Sequence, residues 1–342
     1  MCDGTWKCEP SEVAAGGKPA SPLRGTPPFG GRNRHPAPGT RHPAVTDYHL
    51  HLYPHRMDES IPAPPEVYPL AHIEEFVTHA AGRGVTELAF TEHLFRCRES
   101  ADVLGPFWEA AANPNARAHT ERDIRLDRTM SLERYVEAIT RAKDAGLPVL
   151  LGLEVDFVPG TVDAVLDLLA PYPWDVLIGS VHWIDGWWFD RRHSIEEWEK
   201  RGTDRVYEQY FALEAELALS GSVDVLAHVD RVKFLGLRPE AEPIHLYRQL
   251  VESAQRSGVA IEVSSAGLRH PVAEIYPGPR LLEMCHTAGL DITLASDGHR
   301  PEQAGGGHDQ VVVAARSAGY GHTARFRARR RRLEPIIPLS KE

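Results

Sequence analysis

Seven short apolar runs, separated by segments of helical spacing, constrain this 342-residue chain more than any other feature. They are 45–52 (VTDYHLHL), 86–93 (TELAFTEH), 148–157 (PVLLGLEVDF), 174–183 (WDVLIGSVHW), 222–230 (SVDVLAHVD), 259–265 (VAIEVSS) and 291–299 (DITLASDGH). Continuous Val, Leu and Ile runs of this length suit strands buried on both faces of a parallel sheet. The spacing between them predicts helices over 71–82, 131–145, 204–219, 243–257 and 278–288. Ser131 is a good N-cap, and Gly146 and Gly258 stand where a helix end needs a left-handed residue. Strands alternating with helices in this way predict an α/β fold, a seven-stranded TIM-like (β/α) barrel. Two longer connections, 94–130 and 184–203, follow the second and fourth runs. Connections that long at one end of a barrel point to function.

Composition narrows the chemistry. Thirty-eight Lys and Arg against 48 Asp and Glu leave the chain at −10, which argues against a nucleic-acid backbone as partner. Residues 1–43 hold eight Pro and seven Gly with six basic residues against three acids. They are expected to be a disordered Pro/Gly-rich extension, and 44–338 the folded domain. The four cysteines have no metal-binding or disulfide-framework spacing, so a reducing, cytoplasmic compartment is expected. No run is long and apolar enough for a membrane span. Histidine is the conspicuous residue, at 18.

Those histidines fall in register with the runs. His49 and His51 lie two apart, so that in a strand both project to one face. His93, Glu154, His182, His228, Asp297 and His299 stand at or near the C-terminal ends of five further runs. In a βα barrel that end is where active sites are built. Buried imidazoles and carboxylates need partners, and a shared metal cluster supplies one for all of them. Six histidines with two carboxylates and no thiolate suit Zn, Mn or Fe. Eight ligands exceed one ion's shell, so two or three divalent ions are expected, with Glu154 and Asp297 as bridges and catalytic carboxylates. Such centres generate hydroxide at neutral pH and clamp phosphoryl oxygens, which predicts metal-assisted hydrolysis of a small-molecule phosphate ester.

DYHLHL, FTEH, GLEVDF, GSVHW, LAHVD and SDGH, in this order and spacing, resemble the PHP (polymerase and histidinol phosphatase) superfamily. Within it, GLEVDFVPG, DVLAHVDRVK, IEVSSAGLRHPVAEIYP and ASDGHRPEQAG are most similar to the monofunctional histidinol-phosphatases. The resemblance spans about residues 45–337. It implies a distorted seven-stranded barrel, a trinuclear metal centre and hydrolysis of L-histidinol phosphate to L-histidinol in histidine biosynthesis, with metal-activated hydroxide attacking phosphorus in line. Carried over by position, it places the metal ligands at His49, His51, His93, Glu154, His182, His228, Asp297 and His299. The family has a further ligand shortly after the HxH pair, for which His55 and Asp58 are both candidates.

Arg269, after the sixth run, is expected to bind phosphate, and Lys233 is a second candidate for substrate binding. Glu262 is expected either to orient a ligand histidine or to pair with Arg269. Trp183, Trp187 and Trp188 either stack on substrate or pack the insertion onto the barrel. The basic run 325–332 (RFRARRRR) is expected to be a solvated terminal strand and tail. Three rival readings remain. A PHP nucleotide phosphatase or exonuclease would suit a basic groove or an attached polymerase-like module. A non-catalytic metal-binding relative would have lost ligands. An amidohydrolase barrel would carry a metal-bridging Lys on a middle strand, and the runs hold none.

Overall fold

The computed structural model describes residues 45–336, so the expectation for 1–43 lies outside the described residues. Its elements are, in order, β1 (Thr46–Leu50), α1 (Leu70–Ala81), β2 (Glu87–Phe90), α2 (Ser100–Leu104), α3 (Pro114–Asp127), α4 (Leu132–Asp144), β3 (Val149–Asp156), α5 (Val162–Leu169) and β4 (Val176–Ser180). Next come β5 (Trp183–Ile184), β6 (Trp187–Trp188), α6 (Ile195–Arg201), α7 (Thr203–Ser220), β7 (Val225–Leu226), α8 (Ile244–Ser257), β8 (Ala260–Ser264), α9 (Pro279–Thr287), β9 (Ile292–Ala295), α10 (His308–Ser317), β10 (His322–Arg327) and β11 (Arg330–Pro335).

Each of the seven apolar runs yields one strand, and these strands pair in parallel in the order β1-β2-β3-β4-β7-β8-β9. The ring closes where Leu50 bridges Gly298 and the His51 amide donates to the Gly298 carbonyl at 2.8 Å. The five expected helices are α1, α4, α7, α8 and α9. Ser131 caps α4 through the Arg134 amide, and Gly146 and Gly258 are left-handed at φ 86° and 75°. Alternation then sorts the strand residues. Leu150, Val176, Ile178, Val225 and Ala260 pack together with Tyr48 inside the barrel. Glu154, His182 and Glu262 lie two or four residues further along the same faces, above that apolar plug. β1 shifts register against β2 between Asp47 and Leu50. That irregularity lets Tyr48 fill the plug while its neighbour His49 reaches the site.

The basic run forms a terminal strand as expected, but it is anchored to the barrel by ion pairs rather than left as a solvated tail. Residues 322–335 form the antiparallel hairpin β10–β11, which closes the N-terminal mouth of the barrel. Ala324 and Phe326 join the apolar plug, and the Phe326 amide donates to the Tyr48 hydroxyl at 2.8 Å. Its arginines meet acids near the strand starts. Arg325 Nη2 donates to both Glu87 oxygens at 2.7 and 2.8 Å, Arg329 pairs with Asp224, and Arg331 with Asp291. Charge that looked unpartnered in sequence is neutralised by acids distant along the chain.

The 94–130 insertion holds α2 and α3 and returns to its start where the Arg98 amide donates to the Met130 carbonyl at 2.8 Å. The other insertion begins with the tight hairpin β5–β6, turned through Asp185 and Gly186 at positive φ. A Cβ on Gly186 would lie 2.6 Å from the Phe107 carbonyl, so glycine lets the two insertions meet. Among the described residues, no helix is long and apolar enough to cross a membrane.

Glu214 on α7 is fully buried beside Tyr210, and burial holds its carboxyl well above the usual range. The folded chain therefore keeps a proton that the unfolded chain releases above its ordinary carboxylate pKa, and stability drains as pH rises from there. Glu214→Gln should raise the thermal midpoint at pH 8 by about 2–4 °C per kcal/mol recovered, and by less at pH 5. An equal shift at both pH values in differential scanning fluorimetry would refute this.

Candidate metal centre

The eight sequence-derived positions converge at the C-terminal ends of the strands. Glu154 is at the middle. Its Oε2 lies 2.8 Å from His93 Nδ1, 3.2 Å from His49 Nε2 and 3.5 Å from His51 Nε2. Its Oε1 lies 3.3 Å from His228 Nε2 and 3.6 Å from His182 Nε2. Asp297 Oδ1 stands 3.3 Å from His51 Nε2 and 3.6 Å from His299 Nδ1. Among the described residues, four trios bring ligand atoms within 4.8 Å of one another: His49–Glu154–His228, His93–Glu154–His182, His49–His51–Asp297 and His51–His93–His299. Glu154 belongs to two of them, as do His49, His51 and His93.

Divalent cations fit this donor set. Glu154 Oε1, His182 Nε2 and His299 Nε2 are buried without a hydrogen-bond partner, and buried polar atoms are costly to leave so. Burial pulls the His49 and His93 imidazoles down, but carboxylates overcome it. Glu262, Glu154 and Asp297 hold His49 well above its usual value, and Glu154 and Asp156 push His93 up to about 10. Burial likewise raises Glu154, yet His93 and His49 hold it well below the carboxylate range. Cations entering here displace protons from imidazoles already facing carboxylates. His228 and Asp297 sit at φ 30° and 51°, an uncommon backbone region for residues with side chains that often marks functional sites.

Supporting residues surround the trios. Glu262 takes its alternative as an orienting group: its Oε2 meets His49 Nδ1 at 2.8 Å, while Arg269 bonds elsewhere. Asp156 accepts from His93 at 3.0 Å and His182 at 2.9 Å. Asp47 receives the Ser296 amide and hydroxyl and the Gly305 amide, at 2.6–2.9 Å, tying the Asp297 loop to β1. Sequence reasoning passed over both acids. Asp156 had a readable signal, because it lies two residues from Glu154 and so on the same strand face.

The two candidates after the HxH pair separate clearly. Asp58 is exposed and its carboxylate accepts from the Ser60 amide and hydroxyl. The His55 ring lies 4.9 Å from the rings of both His93 and His299.

Around the centre, Arg231 donates from Nε to Asp190 at 2.6 Å and from Nη1 to Asp297 at 3.3 Å. The sequence reading did not single it out. Arg269 donates from Nη2 to the Ser296 and Asp297 carbonyls at 2.7 and 2.8 Å and is otherwise exposed. Lys233 is 3% exposed, with its ammonium committed to Asp230, Glu274 and the Ile275 carbonyl at 2.7, 2.7 and 3.0 Å. All three of its donors are thereby in use. The tryptophans are buried. Trp187 packs on Trp198, whereas Trp183 and Trp188 flank Phe95 and stand roughly perpendicular to the rings of His182 and His55 respectively.

A parallel α/β barrel with His, Asp and Glu clusters converging at its strand ends defines the class: a barrel whose clustered side chains could bind metal. More particularly, the chain belongs to the PHP domain family, whose model matches residues 70–266. It is 31% identical over 256 residues to a probable histidinol-phosphatase of Deinococcus radiodurans, covering 75% of this chain and 90% of that one. A probable histidinol-phosphatase of Schizosaccharomyces pombe is 24% identical over 250 residues, covering 68% and 76%. The crystal structure of histidinol phosphate phosphatase from Lactococcus lactis, complexed with Zn, L-histidinol and phosphate, superposes with a TM-score of 0.60 at 19% identity, covering 84% of this chain and 98% of that one. At that identity the likeness is one of fold.

Proposed function

We propose that the chain is a metal-dependent phosphomonoesterase that hydrolyses L-histidinol phosphate to L-histidinol and phosphate, a step of histidine biosynthesis. The observation that carries the reaction class is Glu154, whose two oxygens face five imidazoles at 2.8–3.6 Å inside the barrel mouth. The substrate is supported by the relatives, both named probable histidinol-phosphatase and matched over 90% and 76% of their own lengths.

His49, His51, His93, Glu154, His182, His228, Asp297 and His299 would hold two or three divalent ions, of which Zn, Mn and Fe suit the donors. Bound there, such ions polarise phosphoryl oxygens and lower the pKa of water. The remaining work falls to the chain. Arg231, fixed between Asp190 and Asp297, presents its free Nη2 to a phosphoryl oxygen and takes the cationic role first assigned to Lys233. Arg269 braces the backbone under Asp297 and offers its exposed edge to the same phosphate. Fixed guanidinium donors favour the transition state because charge builds on the equatorial oxygens after they are already in place. Phe95, Trp183 and Trp188 wall the side nearest His182 and His55 against water.

Metal-loaded protein should release phosphate from histidinol phosphate at least about 100-fold faster than from nucleoside monophosphates or short oligonucleotides, a preference of about 2.7 kcal/mol. Faster turnover of the nucleotides would overturn the substrate. Arg231→Ala should lower kcat/KM about 10- to 100-fold, the worth of a hydrogen bond to a charged group. Steady-state kinetics with unchanged metal content would establish that the loss is in substrate handling.

A further inference from the structure

We infer that Asp127, the last residue of α3, is a positioning residue for the metal centre. It holds His55 in the tautomer with a bare Nε2, in a ring beside the trio His51–His93–His299, 4.9 Å from the rings of His93 and His299. This rests on the reading of the cluster as a divalent-metal site. Asp127 comes from the insertion after β2, outside the barrel strands, and is 2% exposed. Its Oδ2 lies 2.7 Å from His55 Nδ1. Its Oδ1 accepts the Arg56 amide at 3.0 Å and faces Arg96 Nε at 3.2 Å. Arg96, fully buried, also donates to Glu92 at 3.1 Å and to the Tyr53 and Pro54 carbonyls at 2.8 and 3.1 Å. The end of the insertion thus clamps the loop that carries His55.

The tautomer follows from the donor inventory. A carboxylate opposite a guanidinium only accepts, so the His55 nitrogen facing it must carry the proton. Nδ1 is therefore the donor and Nε2 keeps its lone pair. Carboxylate-to-histidine contacts of this kind fix ring orientation and raise ligand basicity.

Asp127→Asn isolates the effect because it is isosteric. Arg56 and Arg96 are both donors, so the amide oxygen stays with them and the amide nitrogen turns to His55. Nδ1 must then accept, and the proton moves to Nε2, which can no longer take a cation. In metal-free protein, 15N NMR should find His55 protonated at Nδ1 in the parent and at Nε2 in the variant. By chelator competition with Zn, the most weakly held ion should bind about 10- to 100-fold more weakly. His55→Ala should lose the same ion, and the double variant should lose no more than either single one. An unchanged tautomer and unchanged ion count in Asp127→Asn would overturn the assignment. So would a full ion count in His55→Ala beside a loss in Asp127→Asn, since Asp127 would then act through Arg96. These readouts use no substrate, so a different ester in the turnover panel leaves the assignment standing. A parent chain that takes up no divalent ion sinks the metal reading and the role of Asp127 together.

Discussion

Glu154→Gln is expected to lower kcat by about 10³-fold or more and to strip the protein of metal. Glutamine keeps the volume of the side chain but replaces an anionic oxygen pair with a neutral amide. Glu154 contributes to the trios with His49 and His228 and with His93 and His182, so its loss weakens two ion positions at once. A metal centre supplies several kcal/mol of transition-state stabilisation, and each 1.36 kcal/mol is tenfold in rate. Alanine at His182 or Asp297 should act in the same direction. Asp58→Ala, at the exposed alternative, should leave both turnover and metal content at the parent level. A Glu154→Gln protein with full metal content and more than a tenth of the parent turnover would end the assignment of Glu154 as the bridging carboxylate.

The second large effect concerns stability and lies at the opposite mouth of the barrel. Glu87→Ala should destabilise the fold by about 3–5 kcal/mol, the cost of removing one partner from a buried ion pair. Glu87 is 6% exposed and receives Arg325, itself 8% exposed, through two bonds, together with Arg327. Truncating it leaves Arg325 with Glu334 alone. Metal content and KM should be unchanged, since the hairpin and the metal cluster are separated by the apolar plug. An unfolding free energy from denaturant titration within about 0.5 kcal/mol of the parent, the range of an ordinary surface substitution, would show that the hairpin is not fastened by this pair.

These two sites were unequally visible before folding. The metal centre was legible because strand geometry is local. Residues two apart share a face, and a strand end is marked by the apolar run that precedes it, so His49, His51, Glu154 and His182 could be placed from spacing alone. The helices α1, α4, α7, α8 and α9 were legible for the same reason, whereas α5 and α10, which also carry apolar stripes, were not among the expected helices. α3 was not, because PNARAHTERDIRLD carries few apolar residues. Its only plain signal was Asn113, whose side chain accepts from the Asn115 amide, followed by proline in the first turn.

Ion pairs between distant segments were not legible. Arg325 and Glu87 are 238 residues apart, and His55 and Asp127 are 72 apart. A charge in sequence shows its sign and not its partner. For that reason the basic run looked like a solvated terminal strand and tail, Lys233 looked like a candidate for substrate binding, and Arg231 went unnoticed.

By itself, then, the sequence determined the alternation of strands and helices, the face of each strand that bears histidine or carboxylate, and the imidazole and carboxylate chemistry of the cluster. All of these follow from residue type and a repeat of two or 3.6 along the backbone. The tertiary structure decided which charges neutralise one another, which cation faces the centre and which acid orients each imidazole. Those contacts depend on the closure of the ring from β1 to β9 and on where two insertions and a hairpin return, distances that no local periodicity encodes.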